Sequence, residues 1–223
     1  MRTGKLRLGV LASGRGSNLQ AIIDAIEAGT LRAEIAGVIS NKKDAQALER
    51  ARRHGLTDVF LDPKLYVGQP DSREAYDRAI LDVLRKHNVE LVLLAGYMKI
   101  VTGVLIGAFP NRMMNIHPSL LPAFPGLDVQ RKALEWGVRV AGCTVHFVTE
   151  GVDEGPIIIQ AAVPVLSGDT ADTLAARILI EEHKIYSQAV QLYVDGRLQV
   201  DGRRVHITGM PERAGGCLIS PCE

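Results

Sequence analysis

One short run of the sequence carries side chains that suit proton transfer and the stabilisation of negative charge. Asn115 and His117 stand two residues apart in N-I-H-P-S-L-L-P. Residues two apart in a strand point to the same side, so an amide and an imidazole would converge there. Together they can donate hydrogen bonds to a developing oxyanion and move a proton. The alternative is a histidine that serves only the structure.

A carboxylate further along the chain is a candidate partner for this histidine. Asp153 lies in V-D-E-G-P-I, ahead of an apolar run. A carboxylate beside an imidazole stabilises the imidazolium and fixes its tautomer, so this pairing predicts a raised pKa for His117. The alternative is a plain turn, because Asp, Gly and Pro are common turn residues. No metal site is predicted, because no two histidines have H-x-x-x-H or H-x-H spacing. The histidines are His54, His87, His117, His146, His183 and His206.

A glycine turn near the start of the chain is a candidate anion site. The run S-G-R-G-S-N at 13–18 separates an apolar run from a helical pattern. Main-chain N–H groups at a helix start favour a phosphate, and Gly16 would let it approach while Ser17 and Asn18 add donors. The dinucleotide pattern G-x-G-x-x-G fails at Leu19, and no Gly-Lys-Ser/Thr follows. The alternative is a tight turn in which Ser17 or Asn18 only caps the helix.

The elements that must position these residues follow an α/β pattern in the first half of the chain. Short apolar runs alternate with segments of helical periodicity, which is typical of a doubly wound parallel sheet. Such sheets bind ligands at the carboxyl ends of their strands. The predicted strands are Leu6–Leu11, Ala33–Ser40, Asp58–Leu61 and Leu91–Ala95. The predicted helices are Leu19–Ala28, Asp44–Arg53 and Ser72–His87.

The second half of the chain is different, because little helix separates its strands. Runs at Met113–Ile116, Thr144–Val148 and Pro156–Val165 predict three strands, the last two antiparallel or mixed. A helix over about Thr170–Val190 and a hairpin within Asp195–Ile207 follow. We therefore expect a Rossmann-like, open, mostly parallel mixed sheet with helices on both faces. One domain over 1–208 and a loosely ordered tail over 209–223 are expected.

Composition excludes several classes of protein. The chain has 223 residues, 47% hydrophobic, with 26 Lys and Arg against 25 Asp and Glu. The net charge of +1 gives no electrostatic footprint for nucleic acid, and no apolar run reaches the roughly 18 residues of a membrane span. Three scattered cysteines, Cys143, Cys217 and Cys222, argue against a disulfide framework and for a reduced, cytoplasmic protein.

Four motifs in this order resemble the phosphoribosylglycinamide formyltransferases, a family of folate-dependent enzymes of purine biosynthesis. The motifs are G-x-G-S-N at 14–18, N-I-H-P-S-L-L-P at 115–122, G-C-T-V-H-F-V at 142–148 and V-D-E-G-P-I at 152–157. The likeness runs from about Lys5 to Leu198. It implies the formyltransferase fold, and transfer of a formyl group from 10-formyltetrahydrofolate, as co-substrate, to the amine of 5-phosphoribosylglycinamide. It implies small-molecule substrates, no metal, and a monomer or weak homodimer.

The resemblance also implies a role for each matching residue. Asn115, His117 and Asp153 would be catalytic, Glu182 would contact the ribose, and Gly16, Ser17 and Asn18 would hold the phosphate. The folate pocket would be lined by Arg73, Met98, Lys99, Ile100, Val101 and Asn115, and the loop of Thr149, Glu150, Gly151, Val152 and Asp153 would close over the pterin. The sequence departs from the family at Lys99, where Arg is common, and at Asp128 and Gln130, in a loop that often carries His.

Three other functions are alternatives to the one that the resemblance implies. Formyltetrahydrofolate deformylase would share the Asn-His-Asp set but hydrolyse the formyl group, and it usually carries a preceding regulatory domain. Methionyl-tRNA formyltransferase would need an RNA-binding domain and a basic surface. A non-catalytic nucleotide-binding module would keep the glycine turn but leave the convergence of Asn115, His117 and Asp153 unexplained.

Overall fold

The computed structural model describes residues 4–209 and contains a seven-stranded sheet in the order β3-β2-β1-β4-β5-β6-β7. Strands β1 to β5 are parallel to one another, whereas β6 is antiparallel to both β5 and β7. This confirms the mixed, mostly parallel sheet. The strands are β1 Leu6–Leu11, β2 Ala33–Ser40, β3 Asp58–Phe60, β4 Leu91–Leu94, β5 Met113–His117, β6 Val140–Phe147 and β7 Ile157–Pro164.

The described residues also form six α-helices and a short 3-10 helix, and a hairpin follows the last helix. The helices are α1 Ser17–Glu27, α2 Gln46–Arg53, α3 Ser72–Lys86, α4 Gly103–Ala108, α5 Val129–Glu135 and α6 Ala171–Val194; the 3-10 helix is Pro63–Tyr66. The hairpin is made of β8 Leu198–Asp201 and β9 Arg204–Ile207, as predicted. The sequence did not predict α4, α5 or the 3-10 helix, because each is too short for a helical period to be recognised.

Alternating side chains of the parallel strands serve two separate cores. In β4, Leu91 and Leu93 pack into the core beneath α1, α2 and α6, whereas Val92 and Leu94 pack into the core beneath α3 and α4. All four are buried. A strand covered on both faces reads as a continuous apolar run, which explains why β4 was recognisable from the sequence.

Strand β6 begins four residues before the prediction, and Gly142 accounts for the difference. A glycine weakens the apolar pattern of a strand. Here it is required, because a Cβ at Gly142 would lie 2.0 Å from the carbonyl oxygen of Ala161 in the paired strand β7. The glycine therefore allows β6 to approach β7 closely at the edge of the sheet beyond β5.

The carboxyl ends of β1 and β4 meet at the point where the chain order of the sheet reverses. Strand β1 pairs with β2 on one side and with β4 on the other. Helix α6 is fixed against this edge by Tyr186, whose buried hydroxyl contacts the carbonyl oxygens of Leu94 and Met114, each at 3.1 Å. A crevice opens outside such a switch point, where open α/β sheets bind their ligands.

Some predictions concern parts of the chain that the structure does not describe. The predicted tail, including Cys217 and Cys222, lies almost wholly outside residues 4–209. Among the helices within that range, none has both the length and the apolar character that crossing a membrane requires.

Candidate active site

A cavity of about 540 Å³ opens at the carboxyl edge of the sheet and gathers most of the predicted site residues. Its wall includes residues from the start of α1, the exits of β4 and β5, the loop before β7 and the middle of α6. The predicted residues that line it are Asn18, Met98, Lys99, Ile100, Val101, Asn115, His117, Thr149, Glu150, Gly151, Val152, Asp153 and Glu182. Gly16, Ser17 and Arg73 do not line this cavity.

The three candidate catalytic residues converge, although their elements are separate. Asn115 and His117 project from β5, and Asp153 follows in a turn with a backbone φ of 56°. One Asp153 oxygen, Oδ2, lies 3.3 Å from His117 Nδ1, and the other, Oδ1, lies 3.3 Å from Asn115 Nδ2. The main-chain N–H of Gly126 donates to Oδ2 at 2.9 Å. The carboxylate therefore bridges the imidazole and the amide.

His117 has hydrogen-bond acceptors at both ring nitrogens. Nε2 lies 3.0 Å from the carbonyl oxygen of Phe124, and Nδ1 faces Asp153. A carbonyl and an ionised carboxylate can only accept, so both contacts become hydrogen bonds when the ring carries two protons. This arrangement suits an imidazolium that forms during a reaction.

The predicted raised pKa of His117 is wrong for this structure. Burial is the largest influence and lowers its pKa, because the charged ring loses solvation. The Phe124 carbonyl and Asp153 act in the opposite direction but do not outweigh burial. His117 is only 5% exposed, a property that its sequence pattern did not reveal. The resting ring therefore favours the neutral form more than an exposed histidine does.

Asp153 stays ionised to lower pH than an ordinary aspartate. Burial alone would raise its pKa, but His146, the Gly126 N–H and His117 together outweigh it, so the pKa is lowered. His146 Nε2 lies 3.6 Å from Oδ1 of Asp153. The site thus keeps a negative charge available to stabilise an imidazolium.

His146 is a site residue that reasoning from the sequence missed. It stands opposite Asn115 in the antiparallel pair of β5 and β6, and it is 2% exposed. Its Nδ1 contacts the Phe147 carbonyl at 2.8 Å, so this nitrogen donates, and Nε2 can accept from Asn115 Nδ2 at 3.2 Å. Only the register of β6 against β5 brings it to the site. The sequence signal for His146 is its position in the motif at 142–148, where the resemblance assigned the histidine no role.

The amide of Asn115 is fully engaged in the resting site. Its Nδ2 lies within hydrogen-bond reach of His146 Nε2 and of Asp153 Oδ1, which together use both amide hydrogens. Both distances, 3.2 and 3.3 Å, are long for such bonds. Long hydrogen bonds exchange readily, so a substrate oxygen can take one of these hydrogens when it arrives.

The glycine turn places Gly16 at the start of α1 in the left-handed conformation. Its φ is 71°, and a Cβ there would lie 2.8 Å from the Cα of Ala47. Gly16 is the N-cap residue, and no side chain caps this helix, so the alternative that Ser17 or Asn18 caps it is wrong. Main-chain donors at the start of α1 therefore remain available to a ligand.

The side chain of Asn18 contacts Glu182, another residue of the predicted substrate site. Its Nδ2 donates to Glu182 Oε2 at 2.7 Å, which joins the start of α1 to the middle of α6. Its Oδ1 is buried, with no hydrogen-bond partner among residues 4–209. Burial raises the pKa of Glu182, and the bond from Asn18 partly opposes that rise. Asn18 and Glu182 thus present acceptor oxygens together, an arrangement that suits hydroxyl or amine donors.

Arg73 lines an adjoining cavity of about 470 Å³. This second cavity shares Ile100, Val101 and Glu150 with the first. The two spaces therefore lie side by side along the segment that follows β4, and Arg73 flanks the far one.

Within residues 4–209, neither the cysteine nor any cluster of ligating side chains suggests a nucleophile or a metal centre. Cys143 is buried in β6, and burial raises the pKa of its thiol to about 12, so the thiol stays protonated at neutral pH. Across residues 4–209, no three His, Cys, Asp or Glu side chains are grouped as metal ligands.

Comparisons with known proteins show that this chain is similar to formyltransferases. Residues 6–190 match the formyl transferase family. Phosphoribosylglycinamide formyltransferase of Escherichia coli (strain K12) is 44% identical over 200 residues, which cover 90% of this chain and 92% of that protein. The trifunctional purine biosynthetic protein adenosine-3 of Bos taurus is 45% identical over 92% of this chain but only 20% of its own length. The crystal structure of glycinamide ribonucleotide transformylase 1 from Symbiobacterium toebii has a TM-score of 0.89 at 56% identity, and the match covers 92% of this chain and 95% of that chain.

Proposed function

The chain belongs to the formyl transferase family, and we propose that it transfers the formyl group of 10-formyltetrahydrofolate to the amine of 5-phosphoribosylglycinamide, a step of purine biosynthesis. The observation that carries this function is the cluster of Asn115, His117 and Asp153 on the wall of the large cavity. The relatives with the matching name support the choice of substrates.

The reaction needs groups that manage opposite charges. When the neutral amine attacks the formyl carbon, the formyl oxygen becomes negative and the attacking nitrogen becomes positive. Asn115 can donate to that oxygen by giving up its contact with Asp153 or with His146. Removing one such donor usually lowers the rate by about 10²–10³.

His117 suits the proton transfer that completes the reaction. The attacking nitrogen must lose a proton, and the folate nitrogen must gain one as its bond to the formyl carbon breaks. A neutral His117 can take the first proton and deliver it to the second nitrogen. Asp153, ionised and 3.3 Å from Nδ1, stabilises the imidazolium in between. Since Asp153 occupies Nδ1, Nε2 is the nitrogen that would meet the substrates, in exchange for the Phe124 carbonyl.

The phosphoribosyl group would lie between α1 and α6. Helix α1 begins at Ser17 after the left-handed Gly16, and its first main-chain N–H groups suit the phosphate. Asn18 and Glu182 suit the ribose hydroxyls, because their available atoms are oxygens that accept. This divides the predicted set: Gly16 and Ser17 serve the phosphate, and Asn18 serves the sugar.

The folate would occupy the remainder of the cavity. Met98, Lys99, Ile100 and Val101 form one wall, and the loop from Thr149 to Asp153 forms another. Arg73, in the adjoining cavity, is the cation available to an anionic end of the folate. No metal takes part in this scheme.

One assay separates this function from the alternatives. Purified protein is mixed with 10-formyltetrahydrofolate, and release of tetrahydrofolate is followed by absorbance with and without 5-phosphoribosylglycinamide. Release that requires the amine is the expected result. Release without the amine would instead identify a deformylase, and no release under either condition would identify a binding module.

Three features of the protein remain predictions. They are its cytoplasmic location, its state as a monomer or weak homodimer, and its organisation as one domain over 1–208. Analytical ultracentrifugation at several protein concentrations would measure the oligomeric state.

A further inference from the structure

The segment from Met98 to Val101 forms part of the cavity wall. The side chains of Met98 and Ile100 are each 58% exposed, so they contribute little packing that would fix the segment. The Lys99 side chain turns back to α3, where its Nζ lies 5.5 Å from the centre of the Tyr76 ring. Val101 packs into the core beneath α3 and α4, so the outer part of the segment, from Met98 to Ile100, needs other contacts to hold its conformation.

Ser13, at the exit of β1, holds the beginning of the segment. Its Oγ accepts from the main-chain N–H of Met98 at 2.8 Å and donates to Asn41 Oδ1 at 2.6 Å. Its own main-chain N–H donates to the Gly96 carbonyl at 3.0 Å. Ser13 is 2% exposed, so water does not compete for these bonds.

Asp77, in α3, holds the end of the segment. Its Oδ2 accepts from the main-chain N–H of Thr102 at 2.6 Å. Asp77 is 3% exposed and lies one residue after Tyr76, which contacts Lys99. Asp77 lines neither of the two cavities described above.

Between these anchors, the main chain of the segment has hydrogen-bond donors that the described part of the protein does not use. Within residues 4–209, the N–H groups of Lys99, Ile100 and Val101 have no protein acceptor. Main-chain groups at fixed positions along a cavity wall suit a flat heterocycle whose edge carries alternating donors and acceptors. The affinity of such a wall for its ligand depends on its geometry, because a misplaced main-chain group weakens the complex.

We propose that Ser13 and Asp77 are positioning residues for the folate, and that they fix the main chain of Met98–Val101 from its two ends. Neither residue touches the reacting atoms. This inference rests on the proposed function in one respect, namely that the ligand bound at Met98–Val101 is the pterin of the folate. It adds that the wall is set by two buried side chains that lie outside it.

The test compares alanine variants with variants that retain the hydrogen bond. Asp77→Ala and Ser13→Ala each remove the acceptor of a main-chain N–H, and we expect the KM for 10-formyltetrahydrofolate to rise about tenfold or more. The KM for 5-phosphoribosylglycinamide should stay within about twofold, because its proposed site lies on the other side of the cavity. Asp77→Asn and Ser13→Thr keep an acceptor oxygen and should recover most of the loss.

Thr173→Ala is the matched control, since it removes a hydroxyl that bonds main chain at the start of α6, away from both cavities. Thr173 is exposed whereas Ser13 and Asp77 are buried, so this control should lower the melting temperature less, and it should leave both KM values unchanged. Calorimetric binding of tetrahydrofolate to each variant gives a second readout that needs no turnover. Folded alanine variants with unchanged folate KM and affinity would overturn the inference. So would an equal rise in both KM values without recovery by Asn or Thr. An inactive wild-type protein that still binds tetrahydrofolate would refute the proposed function alone.

Discussion

Replacing Asp153 by asparagine removes one negative charge and keeps the shape of the side chain. The amide oxygen can still accept from the Gly126 N–H, so the turn around residue 153 should persist. The charge that faces His117 is lost, and with it the stabilisation of an imidazolium. We expect Asp153→Asn to lower kcat strongly and to change the two KM values much less.

The size of the effect follows from the distance between the two groups. At 3.3 Å and an effective dielectric constant of about 20, two unit charges attract by about 5 kcal/mol. The Asp153 side chain is only 11% exposed, so solvent screens little of this attraction. Since each 1.36 kcal/mol is about tenfold in rate, the loss of most of it corresponds to a decrease in kcat of about 10³-fold.

The assay measures initial rates at saturating concentrations of both substrates, with folding checked by circular dichroism and thermal unfolding. Asp169→Asn is the matched control, because Asp169 pairs with Arg177 at 2.6 Å in a site that lines neither cavity. This control should lose stability and keep its kcat. A folded Asp153→Asn protein with kcat within tenfold of wild type would refute the role assigned to the carboxylate.

Three further predictions concern binding and stability. Gly16→Ala places a Cβ against Ala47 at a φ of 71°, so it should lower the free energy of unfolding by about 1–3 kcal/mol and raise the KM for 5-phosphoribosylglycinamide. An unchanged urea midpoint would contradict this. Glu182→Gln keeps the bond to Asn18 but weakens the acceptor for a substrate hydroxyl, so the KM for 5-phosphoribosylglycinamide should rise about tenfold with little change in kcat. Steady-state kinetics with each substrate varied in turn would measure this, and a rise in the folate KM instead would contradict it. Burial lowers the pKa of His117 below 6.5; the unfolded chain therefore binds more protons below pH 6.5, and stability should rise with pH through that window. Chemical denaturation of wild type and His117→Asn from pH 5 to 7 should show a smaller slope in the variant, and equal slopes would contradict the pKa direction.

The strands were largely readable from the sequence, because local pattern determines them. β1 and β2 have the predicted bounds, since apolar residues covered on both faces form uninterrupted runs. For β6 and β7 the sequence predicted an antiparallel or mixed arrangement, because no helix long enough for a parallel crossover separates them, and the structure shows them antiparallel. The short helices α4 and α5 were not recognisable, because six or seven residues complete fewer than two helical turns.

The site was only partly predictable, because its members come together through pairing and packing. Asn115, His117 and Asp153 were identified by residue type and by family resemblance. His146 was missed, since only the register of β6 against β5 sets it opposite Asn115. The direction of the His117 pKa shift was also wrong, because desolvation depends on how deeply the ring is buried.

The sequence by itself determined the strands of the sheet, the longer helices, the family and the chemical types available at the site. Those properties depend on local periodicity and on residue identity, which are both visible in one dimension. Only the tertiary structure decided that Asn18 faces Glu182, 164 positions away, and that Asp77 and Ser13 hold one wall of the cavity from its two ends. Burial, electrostatic environment and long-range hydrogen bonds arise when distant segments pack together, so no local pattern records them.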